Sequence, residues 1–65
     1  MELLSAREMT VLGLAAAGAT NMQIAGDLFI SVLTVQAHFQ HIVSKLGVAS
    51  RDEAVAWARR RGMGL

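Results

Sequence analysis

The sequence predicts an all-α fold, four short helices packed as one bundle. Three observations carry this. Four hydroxyl residues, Ser5, Thr20, Ser31 and Ser50, each stand just ahead of a segment whose apolar residues recur at steps of three and four. Glycines follow three of those segments, at positions 18, 47 and 62, where a helix can end in a left-handed residue. No segment alternates apolar and polar residues as a half-buried strand does.

The elements follow in order. Ser5-Ala6-Arg7-Glu8 has capping-box spacing and opens the first helix, with Val11, Leu12, Ala15 and Ala16 as its apolar stripe. Thr20-Asn21-Met22-Gln23 is a second box, opening a short helix over about 20–28 whose apolar face is Ile24, Ala25 and Leu28. Phe29 and Ile30 make an apolar turn. Ser31 caps the third helix, over about 31–46, with Val35, His38 or Phe39, Ile42 and Leu46 as its stripe. Lys45 lies favourably against the negative end of that helix. Ser50-Arg51-Asp52-Glu53 is a third box and opens the fourth helix, over about 51–61, with Ala54, Val55, Trp57 and Ala58 apolar. The links Gly18-Ala19, Phe29-Ile30 and Gly47-Val48-Ala49 are short, so successive helices must pack directly. A short helix, a tight turn and a longer helix is a helix-turn-helix, with the second helix positioning and the third reading.

Composition bounds the function. Sixty-five residues make one domain, 1–65. A chain of this size buries only about 60% of its unfolded surface, so a large enclosed active site is not expected. There is no Cys, which removes disulfides, thiolate metal sites and cysteine nucleophiles. The two His, at 38 and 41, have suitable spacing for two metal ligands. No Asp, Glu or Cys stands near them in sequence to complete a site, so no metal and no cofactor is expected. Ser44 and His41 are neighbours on a helix surface, but no pocket or orienting third group is implied, and an enzyme is not expected. A hydrophobic fraction of 54% excludes a disordered tail. No apolar run reaches the roughly 18 residues of a membrane span. Met1-Glu2-Leu3-Leu4-Ser5 lacks the basic start and apolar stretch of a signal peptide, so a cytoplasmic setting is expected. The net charge of +1 neither demands nor forbids nucleic acid.

The order of residues resembles the LuxR/GerE-type helix-turn-helix domain, the output domain of many bacterial response regulators. Leu4-Ser5-Ala6-Arg7-Glu8, Val11-Leu12, Ala16, Gly18, Thr20-Asn21, Ile24-Ala25 and Leu28-Phe29-Ile30-Ser31 carry the first half of the resemblance. Thr34-Val35, His38, Ile42, Lys45-Leu46-Gly47-Val48, Arg51 and Ala54-Val55 carry the second, so it covers nearly the whole chain. The departures fall mostly where the family touches DNA. Met22 stands where Lys is frequent, Gln36 where Lys or Glu is usual, and Leu33 where a charged or polar residue is common. Thr10, Gly13 and Ala17 replace frequent charges on the first helix. These departures imply an altered specificity, natural or by redesign. The receiver or ligand-binding domain that usually precedes this module is not among the 65 residues, so the module alone is not expected to sense a signal.

The resemblance implies double-stranded DNA as partner, bound through the major groove in transcription regulation, in the bacterial nucleoid. With the stripe of the third helix turned inward, Leu33, Gln36, Ala37 and Gln40 face the bases. Gln36 or Gln40 can pair with N6 and N7 of adenine, and Leu33 and Ala37 can touch the methyl of thymine, which predicts a preference for A·T pairs. Thr20, Asn21 and the backbone N–H groups at the start of the second helix suit phosphate, as does Thr34. His38, His41, Lys45 and Arg51 complete the phosphate set, although Arg51 could instead pair with Glu8, and Lys45 could serve in a cap or surface ion pair. The family often dimerises through its last helix, which makes Ala54, Trp57, Ala58 and Arg61 a candidate two-fold contact. For Trp57 the alternative is packing. The Arg59-Arg60-Arg61 run complements the helix end or attracts phosphate weakly. No small-molecule ligand is expected. A second reading makes the module a protein binder through an exposed apolar patch of Met22, Val32, Leu33 and Phe39. A third is a folded remnant that binds nothing well.

Overall fold

Each helix of the protein begins where a hydroxyl can take up its first free N–H groups. In a computed structural model, which describes residues 4–64, the order is α1 (Ala6–Ala16), α2 (Asn21–Leu28), α3 (Val32–Leu46) and α4 (Arg51–Arg60). The described residues form no strand. Met1, Glu2 and Leu3, part of the N-terminal stretch discussed above, and Leu65 lie outside the described residues.

Two of the three expected capping boxes close reciprocally. The Ser5 hydroxyl accepts from the Glu8 N–H at 3.1 Å, and Glu8 accepts from the Ser5 N–H at 2.8 Å. Thr20 and Gln23 repeat the pattern at 3.1 and 2.8 Å. The third box forms only in part. Ser50 accepts from the Glu53 N–H at 3.3 Å, but Glu53 receives the N–H of Ala49, at 3.1 Å, instead of that of Ser50. The reason is backbone geometry: Ser50 has φ −154°, against −67° at Ser5 and −78° at Thr20, which turns its own N–H away from the carboxylate.

All four helices stop in the same way. A left-handed residue follows the last turn, and the next N–H bonds back to a carbonyl five residues earlier. Ala19 donates to Leu14, Ile30 to Ala25, Val48 to Val43 and Met63 to Ala58, at 3.0–3.3 Å. At three ends the left-handed residue is glycine (Gly18, Gly47, Gly62), which adopts it without penalty. The end of α2 has Phe29 instead, at φ 56° and ψ 43°, with the side chain 94% exposed. A left-handed L-residue costs roughly 1–2 kcal/mol, and this ring recovers almost none of it by packing. Phe29→Gly is expected to raise stability by about 0.5 kcal/mol after the extra flexibility of glycine in the unfolded chain is counted. Thermal denaturation reads this as a gain of about 2–4 °C. A lower melting temperature would mean that the ring has a packing role.

The core is built largely from small residues. Val11, Leu12, Ala15 and Ala16 of α1 meet Ile24 and Ala25 of α2, Val35, Phe39 and Ile42 of α3, and Ala54 and Ala58 of α4. Leu12, Ile24, Ile42, Val11 and Val35 are the largest side chains wholly out of solvent. The choice between His38 and Phe39 for the stripe of α3 falls to Phe39, which is buried, while His38 is half-buried. α1 packs against the other three helices, and α3 packs against α1, α2 and α4. α2 and α4 do not pack on each other. The far end of α1 is closed from α4, where the Arg59 Nε donates to the Ala16 carbonyl at 3.0 Å.

Candidate nucleic-acid interface

Because Val35, Phe39 and Ile42 anchor one face of α3 in the core, its opposite face must meet solvent. Leu33, Gln36, Ala37 and Gln40 all lie exposed there, together with His41 and Ser44. Leu33 is 74% exposed. From Val32 to Ser44 the helix carries no Asp, Glu, Lys or Arg. Met22 on α2 is also exposed, at 77%.

A cleft of about 410 Å³ opens beside this face, lined by Gln36, Gln40, Phe39 and Val43 of α3, Asn21 at the start of α2, and Ser50 and Arg51 at the start of α4. Arg51 crosses it. Its guanidinium carbon lies 4.4 Å from the centroid of the Phe39 ring, and its Nη1 donates to Oδ1 of Asn21. This geometry decides one alternative left open by the sequence: Arg51 does not pair with Glu8.

The partner of Glu8 is Lys45, whose Nζ donates to Oε1 at 2.8 Å. The Glu8 side chain is 6% exposed and that of Lys45 27%. The Lys45 ammonium, and after it the Ser5 N–H, hold the Glu8 carboxyl down at about 2, against a usual 4.5, despite its burial. Lys45 is therefore tied to Glu8, the ion-pair alternative that the sequence left open for it. Sequence reasoning saw Glu8 as a cap and as a possible partner of Arg51, not of Lys45. Its second role, as the buried anchor of α3, needed a pairing across 37 residues that no local spacing reveals.

A family profile described as bacterial regulatory proteins, luxR family (GerE), matches residues 2–58. The chain belongs to the luxR family. It is 47% identical over 60 residues to the oxygen regulatory protein NreC of Staphylococcus aureus strains JH9 and JH1, covering 92% of this chain and 28% of each relative. It is similar at 44% identity to the response regulator ChrA of a heme-sensing two-component system, with a TM-score of 0.82 over 97% of this chain and 31% of that one. The chain thus spans less than a third of the length of these relatives. The helix-turn-helix of α2 and α3 is the luxR-type DNA-binding unit of transcription regulators, a family that is generally non-enzymatic.

Within this luxR-family module the other candidate residues are scattered. Thr20 and Thr34 are exposed at the starts of α2 and α3, and the Thr34 Oγ1 lies 2.9 Å from the Ser31 hydroxyl. Asn21 and His38 are half-buried, and His41 is exposed. Of the candidate dimer residues, Ala54 and Ala58 are fully buried inside the bundle, because the small side chains of α4 are what lets α1 and α3 approach it. Neither lies on the surface of this chain. Trp57 is half-buried and Arg61 exposed, with the guanidinium carbon 4.1 Å from the centroid of the indole. The apolar patch of the protein-binding reading is also broken up: Phe39 is in the core and Val32 is half-buried, leaving Met22 and Leu33 exposed. Among the described residues no helix is long and apolar enough to cross a membrane.

Proposed function

We propose that this luxR-family module reads double-stranded DNA by inserting α3 in the major groove, with Leu33, Gln36, Ala37 and Gln40 toward the base edges. The observation that carries this is the uncharged, exposed face of α3, set opposite a face locked in the core. Amide side chains pair with adenine and apolar ones with the thymine methyl, so the preferred site is rich in A·T. Thr20, Thr34, His41 and Arg51 supply the phosphate contacts, with Asn21 holding the Arg51 side chain and His38 at the margin. With Lys45 engaged by Glu8, few cations remain for the duplex, so a single copy binds weakly and a second copy strengthens binding. The contact between copies uses the exposed side of α4 around Trp57 and Arg61. The relatives are response regulators, which supports an output role within a longer regulator working in the bacterial cytoplasm. A protein partner on the α3 face is not favoured by family membership.

The test is selection from a randomised duplex library at about 50 mM salt, where electrostatic binding remains strong. A short A·T-containing motif is expected. Gln36→Ala is then expected to cost about 1–3 kcal/mol on that motif and to relax one base position. Replacing individual thymines with uracil, which lacks the methyl, tests Leu33 and Ala37 in the same assay. An equal loss from Gln36→Ala on every sequence would remove Gln36 from base reading. No enrichment by a folded chain would overturn the reading itself.

A further inference from the structure

We propose that Phe39 and Asn21 are positioning residues for DNA binding, acting through Arg51. This rests on the reading above, in which Arg51 meets a phosphate. The starts of α2 and α4 do not pack on each other, yet both border the cleft beside the reading face. What joins them is one side-chain assembly: the Phe39 ring beneath the Arg51 guanidinium, and the Asn21 carbonyl oxygen on one of its N–H groups. The ring comes from α3, so the assembly ties three helices to one cation.

A free arginine side chain loses substantial rotamer entropy when it grips an anion. Here stacking fixes the plane of the guanidinium, and Asn21 fixes its rotation within that plane. One of five N–H donors is taken, leaving a fork for the paired oxygens of a phosphodiester. Among the described residues the one ion pair is Glu8–Lys45, so no carboxylate competes for Arg51. The same bond sets Asn21. Its oxygen faces Arg51, so its amide N–H groups, the half that can donate to phosphate, are directed elsewhere. Phe39 therefore has two roles, since its ring fills the core at 5% exposure and its face carries the cation.

The test is a double-mutant cycle on duplex affinity, using the library-selected site with each variant checked for helical content and for its salt slope. Phe39→Leu keeps an apolar side chain but removes the ring face, and is expected to weaken binding about five- to tenfold, in the range of one cation–π contact. Phe39→Tyr keeps the face and is expected to bind within about twofold of the parent. In the Arg51→Ala background, Phe39→Leu is expected to have no further effect, because the group it aims is gone. Arg51→Ala alone should make the salt slope shallower by about 1. Asn21→Ala, farther from the core, repeats the cycle should Phe39→Leu fold poorly. Equal losses from Phe39→Leu and Asn21→Ala with and without Arg51 would overturn the proposal while leaving DNA binding intact. A parent chain that binds no duplex at about 50 mM salt would overturn the DNA reading as well.

Discussion

Lys45→Ala is expected to destabilise the fold by about 3 kcal/mol, the lower end of the cost of removing one partner from a buried ion pair. Glu8 is almost wholly enclosed and would keep only its bond from the Ser5 N–H. A chain of this length has about 3–10 kcal/mol of stability in all, so the variant loses about a third of it or more. Denaturant titration measures the loss. The loss of DNA binding should follow the unfolded fraction, with an unchanged affinity for the folded remainder. A fully stable variant with weakened binding and a shallower salt slope would return Lys45 to the phosphate set. The pair also predicts acid sensitivity. The carboxyl of Glu8 is depressed in the folded chain, so its contribution is fully present above about pH 4.5 and is lost as pH falls through about 2. That contribution is on the order of 2 kcal/mol, and Glu8→Gln should abolish it.

Leu12→Ala is expected to have an effect as large or larger, about 2–5 kcal/mol. The core is rich in alanine, and Leu12 is among the few large side chains that fill it completely. It lies on α1, away from the cleft and the exposed face of α3. The expected result is a chain that unfolds in much milder denaturant and, once unfolded, regains helicity in an excluded osmolyte such as TMAO. DNA binding should return in step with helicity. Recovery of helix without recovery of binding would show that Leu12 sets the orientation of α3 as well as its stability. A loss below about 1 kcal/mol would show that the bundle collapses into the vacated space.

The positions of the helices were legible because their signals are local. Ser5, Thr20, Ser31 and Ser50 mark starts, and Gly18, Gly47 and Gly62 mark ends, since caps and left-handed stops depend on residues within one turn. The missing glycine at Phe29 was also visible, but its strained conformation was not, because the turn is imposed by the packing of α2 and α3 around it. The face that α3 exposes could be read from the inward stripe of Val35, Phe39 and Ile42.

The sequence by itself determined the class, the four helices, the family likeness and the uncharged face of α3, all of which follow from spacing along one chain segment. Only the tertiary structure decided the partners of the charged side chains. Lys45 and Arg51 are six residues apart, and either could have served Glu8. The docking of α3 on α1 gives Glu8 to Lys45, and the meeting of α2, α3 and α4 places Arg51 on Phe39 and Asn21. It also enclosed Ala54 and Ala58, because a helix of small residues packs closely on whatever neighbour the fold supplies. Side chains that span 30 or more residues of sequence find each other through the packing of helix faces, and no local pattern encodes that choice.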